Sequence, residues 1–466
     1  MKNARPYPRA KITPKAERAV LAGHPWVYDA EVLSLEDANG AVAASADGEN
    51  VPNGSLVDVV NRKGAYLGTG MLSIQSKIRI RLITRNANDR FDQAFWERKV
   101  RWAWEYRKTV MGDAAVGGAS FDGASNMALP TGGLASDLSS CRVIFSEADG
   151  FPGLIVDKFE DVLVAQVLTV GMERAKPAIF AALRAVFADE GIPIRGIYER
   201  NDVSTRKLEG LDEACGWYDE GARAFEKSAA DASGVPQENA IERSTSVQIV
   251  ENGVRYLVDF ENGQKTGFFL DQKYNRRAVA RLAAGKRVLD CFTHTGSFAL
   301  NAACAGAQSV TAVDISQRAI DQARANAQLN GVEDCMTFVC ANVFDLLTEL
   351  EQQRIAGQHR TANFDFIILD PPAFTKSRRN IDAALRGYKD INYRALRILP
   401  RGGYLATCSC SHFMDTERFK GMMASAALDA GVQLRQIEQR QQAPDHPIVW
   451  GIPETDYLKF FLFQVV

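Results

Sequence analysis

The stretch Leu405–Met414, LATCSCSHFM, brings Cys408 and Cys410 within two residues of each other, with His412 and the sulfur of Met414 close behind. Two cysteines in this spacing can form a metal clip or a disulfide, fill a core, or supply a nucleophile. On an extended strand both side chains project to the same side, and only the later one reaches past the strand end into a cleft. A thiol there, once ionised, is a strong nucleophile. A zinc site would need further ligands, and His412 is the one candidate nearby, so a fourth is lacking.

Two other stretches carry chemistry. In RVLDCFTHTGSFALNAA, a strand ending at Asp290 runs into a tight Thr295-Gly296 turn and a helix of small residues, the form of a nucleotide-type loop. The three-glycine signature of a pyrophosphate cradle is absent. About 18 residues further, a second strand ends in VDIS, which places Asp314 where a carboxylate can accept both hydroxyls of a ribose. Spacing and order together imply an adenosine-containing cofactor, against the plain reading of Asp314 as a strand-end cap. In LDPPAF, two prolines rigidify the turn after Asp370, so the acid and Phe374 face the cleft in fixed geometry. Phe374 would offer a stacking platform for a flat substrate, and Lys376 in the following KSRRN could meet phosphates. The plain alternative is a strand terminator followed by a solvated charge cluster.

These loops need strands to hold them. From about residue 245 to the end, the apolar runs RVLDCF, SVTAVDI, MTFVCANVF, FDFIILDPP, GGYLATCSC and YLKFFLFQVV alternate with helical segments. Such a rhythm specifies an open, mostly parallel sheet covered on both faces, with ligands at the carboxyl ends of its strands. Residues 1 to about 85 instead show short alternating stretches, HPWVYDAEVLSL, GSLVDVVNRKGAYLGTGML and SKIRIRLIT, read as a small β barrel or sandwich. Between them, FDQAFWERKVRWAWEYRKTVM has helical spacing, EADGFPGLIVDKFEDVLVAQVLTV reads as a pair of strands, and ERAKPAIFAALRAVFADEG as a helix before the strand IRGIYERN. Residues 113–140 and 226–239, rich in small residues, read as an inserted loop and a linker. The expected domains are 1–88, 89–240 and 241–466.

A chain of 466 residues with 46% hydrophobic and 24% charged residues fits two or three ordinary globular domains. No apolar run is long enough to span a membrane and the basic N-terminus lacks a leader's apolar stretch, so a cytoplasmic location and reduced thiols are expected. Cys291, Cys304, Cys335 and Cys340 read as small core residues, and His446 as a structured loop residue ahead of a cleft-lining one. The net charge of −2 gives no global attraction to a polyanion. Contact with one would rest on local patches, such as the six Lys and Arg between Lys2 and Arg18, or Lys376 to Arg379.

The segments HPWVY, EADGFPGLIVDKF, IYERNDVSTRKLEG, GQKTGFFLDQ, DPPAF, RGYKDIN, SCS and APDHP followed by YLKFF cover nearly the whole chain. With them the chain resembles the bacterial ribosomal RNA large subunit methyltransferase I family, which methylates C5 of a cytidine in 23S rRNA. The resemblance implies an α/β protein: a PUA-type RNA-binding β barrel, a small central α/β domain, and a Rossmann-like class I methyltransferase domain with an antiparallel terminal strand. It implies S-adenosylmethionine as cofactor, with contacts from Lys265, Asp271, Asp290, Phe292, Thr295 and Gly296. Asp314 and Ser316 would lie at the ribose, Asn342 at the adenine and Asp370 at the methyl-bearing region. It implies no metal, 23S rRNA or a precursor of the large subunit as partner, and leaves a homodimer open. Asn342 stands where an Asp is usual, and Ala373 where the family often has a polar or basic residue.

For C5 of cytosine to attack a methyl group, a thiolate must first add at C6, and the family's Ser-Cys-Ser aligns with Ser409 to Ser411. The resemblance therefore makes Cys410 the nucleophile and Cys408 packing, with Asp370 at the N3 edge. No residue is assigned as base for the C5 proton. Two other readings stand beside this one: an rRNA base N-methyltransferase, which needs no thiol, and a non-catalytic RNA-binding factor in ribosome assembly.

Overall fold

The computed structural model describes residues 5–37, 51–111, 135–219, 244–356, 364–375 and 378–466. At the N-terminus the short strands β1 (Arg9–Ile12), β2 (Trp26–Tyr28), β3 (Val32–Glu36), β4 (Leu56–Val60), β5 (Tyr66–Leu72) and β6 (Ile78–Thr84) form one curled sheet in the order β2-β6-β5-β4-β1-β3. Its valines, leucines and isoleucines alternate onto one buried cluster. Helix α1 (Pro14–Leu21) packs there, capped by Thr13 and started by Pro14. The basic stretch of the sequence reading is thus a strand and a helix. Much of its charge is answered in place, since Arg5 pairs with Asp58, Lys11 with Glu36 and Lys15 with Glu31.

Next come α2 (Gln93–Met111), α3 (Ala135–Ser139), β7 (Ser140–Phe145), β8 (Leu154–Phe159), β9 (Val162–Val167), α4 (Val170–Asp189), β10 (Gly196–Arg200) and β11 (Cys215–Trp217). The five strands lie in the order β11-β10-β9-β8-β7. Helices α2 and α4 cover one face, with Trp104 edge-on to Phe187 at 4.9 Å. Residues 135–140, read from sequence as part of an inserted loop, are α3 and the start of β7. The rest of that insertion lies outside the described residues, as does the linker at 226–239.

A hairpin, β12 (Ser246–Glu251) and β13 (Val254–Asp259), leads into the last sheet. Its strands are β14 (Arg287–Cys291), β15 (Ser309–Asp314), β16 (Met336–Cys340), β17 (Phe366–Leu369), β18 (Tyr404–Ser409), β19 (Leu434–Arg440) and β20 (Lys459–Val465). The helices between them are α5 (Lys273–Ala283), α6 (Ser297–Cys304), α7 (Gln317–Asn330), α8 (Val343–Ile355), α9 (Ile381–Ile398) and α10 (Thr416–Ala430). The order is β16-β15-β14-β17-β18-β20-β19, with β14 to β18 parallel and β20 antiparallel to both its neighbours. Strands buried on both faces read as continuous apolar runs, as Phe366–Leu369 does. Chain order reverses between β14 and β17, so the crevice of this sheet opens beyond Cys291 and Leu369.

Buried polar bonds tie this sheet's front edge to the central one. Lys273 Nζ donates to the carbonyls of Asp137 (2.9 Å) and Ser140 (2.8 Å). Asp157 takes a bidentate pair from Arg142 and a hydroxyl bond from Thr266 at 2.6 Å. Among the described residues, no helix is long and apolar enough to cross a membrane.

Candidate active site

Asp290 is the last residue but one of β14 and is fully buried. Its Oδ2 accepts from Thr293 Oγ1 (2.5 Å) and from the backbone N–H of Ala299 (2.9 Å), while Oδ1 has no partner. Burial pushes this carboxyl up to about 7, with Asp370 and Asp314 adding to the effect and the two bonds opposing it. The loop from β14 to α6 carries three left-handed backbones in five residues, Phe292 (φ 63°), His294 (φ 53°) and Gly296 (φ 83°). Strain of this kind in non-glycine residues persists where surrounding contacts impose it, and it clusters at ligand sites. Gly296 also begins α6 hard against α7, since a Cβ there would stand 3.0 Å from that of Ala323.

Asp314 ends β15, next to β14 in the sheet. Its Oδ2 accepts from His294 N and its Oδ1 from Ser316 N, both at 2.9 Å, which fixes the carboxylate and leaves further lone pairs for a ligand's hydroxyls. Ser316 spends its hydroxyl oxygen capping α7 at Ala319 N. Asn342 caps α8 in the same way, its Oδ1 accepting from Phe344 N at 2.9 Å, and its exposed amide N–H groups stay available as donors. Thr295 offers a hydroxyl 3.4 Å from His294 Nδ1, and its carbonyl accepts from Asn326.

Asp370 follows β17. Its Oδ1 accepts from Gln272 Nε2 at 3.0 Å, and the Cys408 thiol nearby also favours its ionised form. Burial, and then Asp271, push Asp370 up to about 7. Asp271 itself is buried, with Oδ2 held by the Tyr457 hydroxyl at 2.7 Å and Oδ1 without a partner. His446, Lys265, Tyr457 and Arg142 outweigh the burial and hold this carboxyl below its ordinary value. Two buried carboxylate oxygens, on Asp271 and Asp290, thus await a donor or a cation.

Cys410 lies one residue beyond β18 and is half-buried, with its sulfur 4.0 Å from the Pro371 carbonyl. Burial raises its thiol to about 11; Asp370 and Asp271 add to that, and Lys265 opposes them. Cys408 is fully buried within the strand. Burial, and then the charge of Asp370, push its thiol well above the ordinary value. Lys265 is exposed with φ 53°, its ammonium 5.2 Å over the Phe269 ring. Phe374 is half-buried in an aromatic row, 5.8 Å from Phe344 and 4.5 Å from Tyr388, with Phe292 6.5 Å from Phe344. Lys376 lies outside the described residues.

Sequence reasoning missed Gln272, Tyr457 and His294. The first two act through bonds to residues far away in the chain, and His294 sits in a THTG turn where only the glycine stood out. Burial lowers His294 to about 4, so it enters the site as a neutral imidazole edge-on to Phe269 at 5.1 Å. Cys340, read as a core residue, is exposed at the end of β16, while Cys304 and Cys335 are half-buried and Cys291 is buried. The period-2 alternation there continues one residue past the covered part of the strand. His446 is a buried loop residue with Nδ1 2.9 Å from Asp445 Oδ1. Among the described residues, no cluster of three or more His, Cys, Asp or Glu could hold a metal ion.

A family of S-adenosylmethionine-dependent methyltransferases matches residues 199–463, and a PUA-like domain family matches residues 10–85. Ribosomal RNA large subunit methyltransferase I of Klebsiella pneumoniae (strain 342) is 36% identical over 461 residues, 99% of each chain. Its counterpart from Aeromonas hydrophila is 38% identical over 446 residues, 95% of this chain and 96% of that one. A solved Streptococcus mutans structure described as a SAM-dependent methyltransferase superposes with a TM-score of 0.70 at 21% identity, over 98% of this chain and 100% of that one. A methyltransferase solved in complex with SAH gives 0.71 at 21% identity over the same shares.

Proposed function

Since this chain belongs to the ribosomal RNA large subunit methyltransferase I family and is an S-adenosylmethionine-dependent methyltransferase, we propose that it methylates C5 of a cytidine in 23S rRNA through a covalent Cys410 adduct. The observation that carries the reading is Cys410 beyond β18 beside Asp370 beyond β17, adjacent parallel strands of one sheet.

Bound S-adenosylmethionine supplies an electrophilic methyl group carried on a cation. The unpartnered oxygens of Asp271 and Asp290 fit such a cation, and Lys265 suits the opposite charge of the cofactor's carboxylate. Asp314, already oriented by two backbone donors, receives the ribose hydroxyls, with Ser316 beside it. Asn342 offers amide donors to the adenine edge, and the strained Phe292, Thr295 and Gly296 loop lies between these groups.

The Cys410 thiolate adds to C6 of the cytosine, and Asp370, poised at about 7, donates a proton to N3, so the ring becomes an enamine nucleophilic at C5. After C5 takes the methyl group, its proton leaves to a base, the C6–S bond breaks with its electron pair returning to sulfur, and N3 gives its proton back to Asp370. The base must be unstacked from folded RNA to reach this crevice. Phe374, within its aromatic row, offers it a face, and Lys376 is proposed to meet phosphate.

Mass spectrometry of 23S rRNA from cells with and without the gene, and with Cys410→Ala, tests the proposal. Loss of one 5-methylcytidine in both strains is the expected result; an unchanged level in the Cys410→Ala strain overturns the covalent route. One observation favours N-methylation instead: the thiol at about 11 is protonated at neutral pH. That second reading predicts a methyl group on a base nitrogen and full activity without the thiol.

A further inference from the structure

We propose that Lys459 is a positioning residue for Cys410, anchoring the turn after β18 from the neighbouring strand and placing a buried positive charge beside the thiol. This rests on the reading of Cys410 as the nucleophile. Lys459 opens β20 directly across from Ser409 in the antiparallel register. It is 4% exposed, and its Nζ donates to the Ser411 carbonyl at 2.6 Å and to the Tyr457 carbonyl at 2.7 Å. Among the described residues it makes no ion pair with a carboxylate.

A buried ammonium held only by neutral carbonyls is costly, and a neutral donor would serve the carbonyls as well. The charge therefore answers the acidic groups around it, Asp456 first and then Cys410 and Asp415, and Cys410 is the one directly bonded in the chain to its partner Ser411. Three anchors hold the turn: Lys459 on Ser411, Ser411 Oγ on the Thr375 carbonyl at 3.1 Å, and Ser409 Oγ on the Tyr388 hydroxyl at 3.1 Å. Only the first carries charge. The same short segment reaches the opposite rim of the crevice, where the Tyr457 hydroxyl holds Asp271.

The charged and titratable groups facing the thiol are Asp370 after β17, Lys265 and Asp271 ahead of α5, Tyr388 on α9, Cys408 on β18 and Lys459 on β20. Those facing the ammonium are Asp456, Cys410 and Asp415. Burial lowers Lys459 to about 8, and these three pull it back up. An ionised Cys410 would keep Lys459 charged, and Lys459 in turn would favour the thiolate.

The test is the pH profile of Cys410 alkylation by iodoacetamide in the full chain, read by mass spectrometry at that residue. Lys459→Met is expected to move the midpoint up by about one pH unit, roughly a tenfold slower reaction near pH 8, and Lys459→Arg to stay within about threefold of wild type. Lys459→Gln keeps a donor for the Ser411 carbonyl without the charge, so it carries the test if Lys459→Met does not fold. It should show the same upward shift. An unchanged midpoint in these neutral variants, with circular dichroism and S-adenosylmethionine binding intact, overturns the proposal. No RNA enters the readout, so a methyl group found elsewhere than C5 would overturn the proposed function and leave this result standing.

Discussion

Gln272 donates from Nε2 to Asp370 Oδ1 at 3.0 Å, joining the residue ahead of α5 to the one after β17. The bond favours the ionised carboxyl against the burial that raises it. Removing it should raise Asp370 further and leave its carboxyl free to rotate. Gln272→Ala is expected to lower kcat about tenfold, the size of one lost hydrogen bond to a charged group, and to shift the alkaline limb of the pH–rate profile to higher pH, since Asp370 acts in its protonated form. Steady-state methyl transfer to rRNA across pH 6 to 9 checks both effects. An unchanged limb would mean that Asp370 is not the titrating group.

Cofactor binding should strengthen as pH rises through about 7. Asp290, whose unpartnered oxygen fits the cofactor's cation, stands at about 7 in the free protein, against an ordinary 3.8. A raised carboxyl holds a proton that the unfolded chain has released, so it contributes stability that is complete below about 4 and is lost as pH climbs through about 7. A cationic ligand has the opposite preference, because it binds the ionised form. Titration calorimetry with S-adenosylmethionine is expected to give affinity rising about tenfold per unit below pH 7 for each carboxyl that must ionise, then levelling off above it. A flat profile between pH 5.5 and 8.5 would separate Asp290 from the cation.

The Arg142 and Asp157 pair should matter far more to stability than an exposed pair. Asp157 is fully buried, takes both guanidinium bonds at 2.8 Å and also accepts from Thr266. Asp157→Ala would strand a buried guanidinium between the central sheet and the stretch ahead of α5, at a cost of about 3–5 kcal/mol. Thermal unfolding should show it, with the loss reduced in a double variant that also replaces Arg142 by Met. A single-variant loss below about 1 kcal/mol would put the pair in the class of surface bridges.

Much of the sheet was readable because β14, β15, β17, β18 and β20 are apolar runs of four to seven residues set between turn signals. Strand β19, LRQIEQR, was not, since an edge strand with one solvated face carries few apolar residues. Helix α1 hid for a related reason: only Ala16 and Val20 are buried, and its charges dominated the reading. At the site, the strand-end acids showed themselves by position in the α/β rhythm. The bonds that tune them did not, because Gln272 to Asp370 spans 98 residues and Tyr457 to Asp271 spans 186. Such partners meet only once the strand order is known, and no local pattern encodes it.

Gly296 should resist substitution for two separable reasons. Its φ of 83° lies where side chains are strained, and an added Cβ would press on Ala323 at 3.0 Å, moving α6 against α7. The left-handed backbone alone costs about 1 kcal/mol for alanine, and the contact adds to it, so Gly296→Ala should destabilise by about 1–3 kcal/mol. Because Thr295 and Asp290 flank the same loop, the larger effect is expected on the cofactor, with affinity falling at least about tenfold. Ala323→Gly should restore part of the stability by clearing the contact, while the φ strain and some of the binding loss remain. Calorimetry on the single and double variants distinguishes the two, and full rescue by Ala323→Gly would show that crowding, not backbone conformation, reserves this position for glycine.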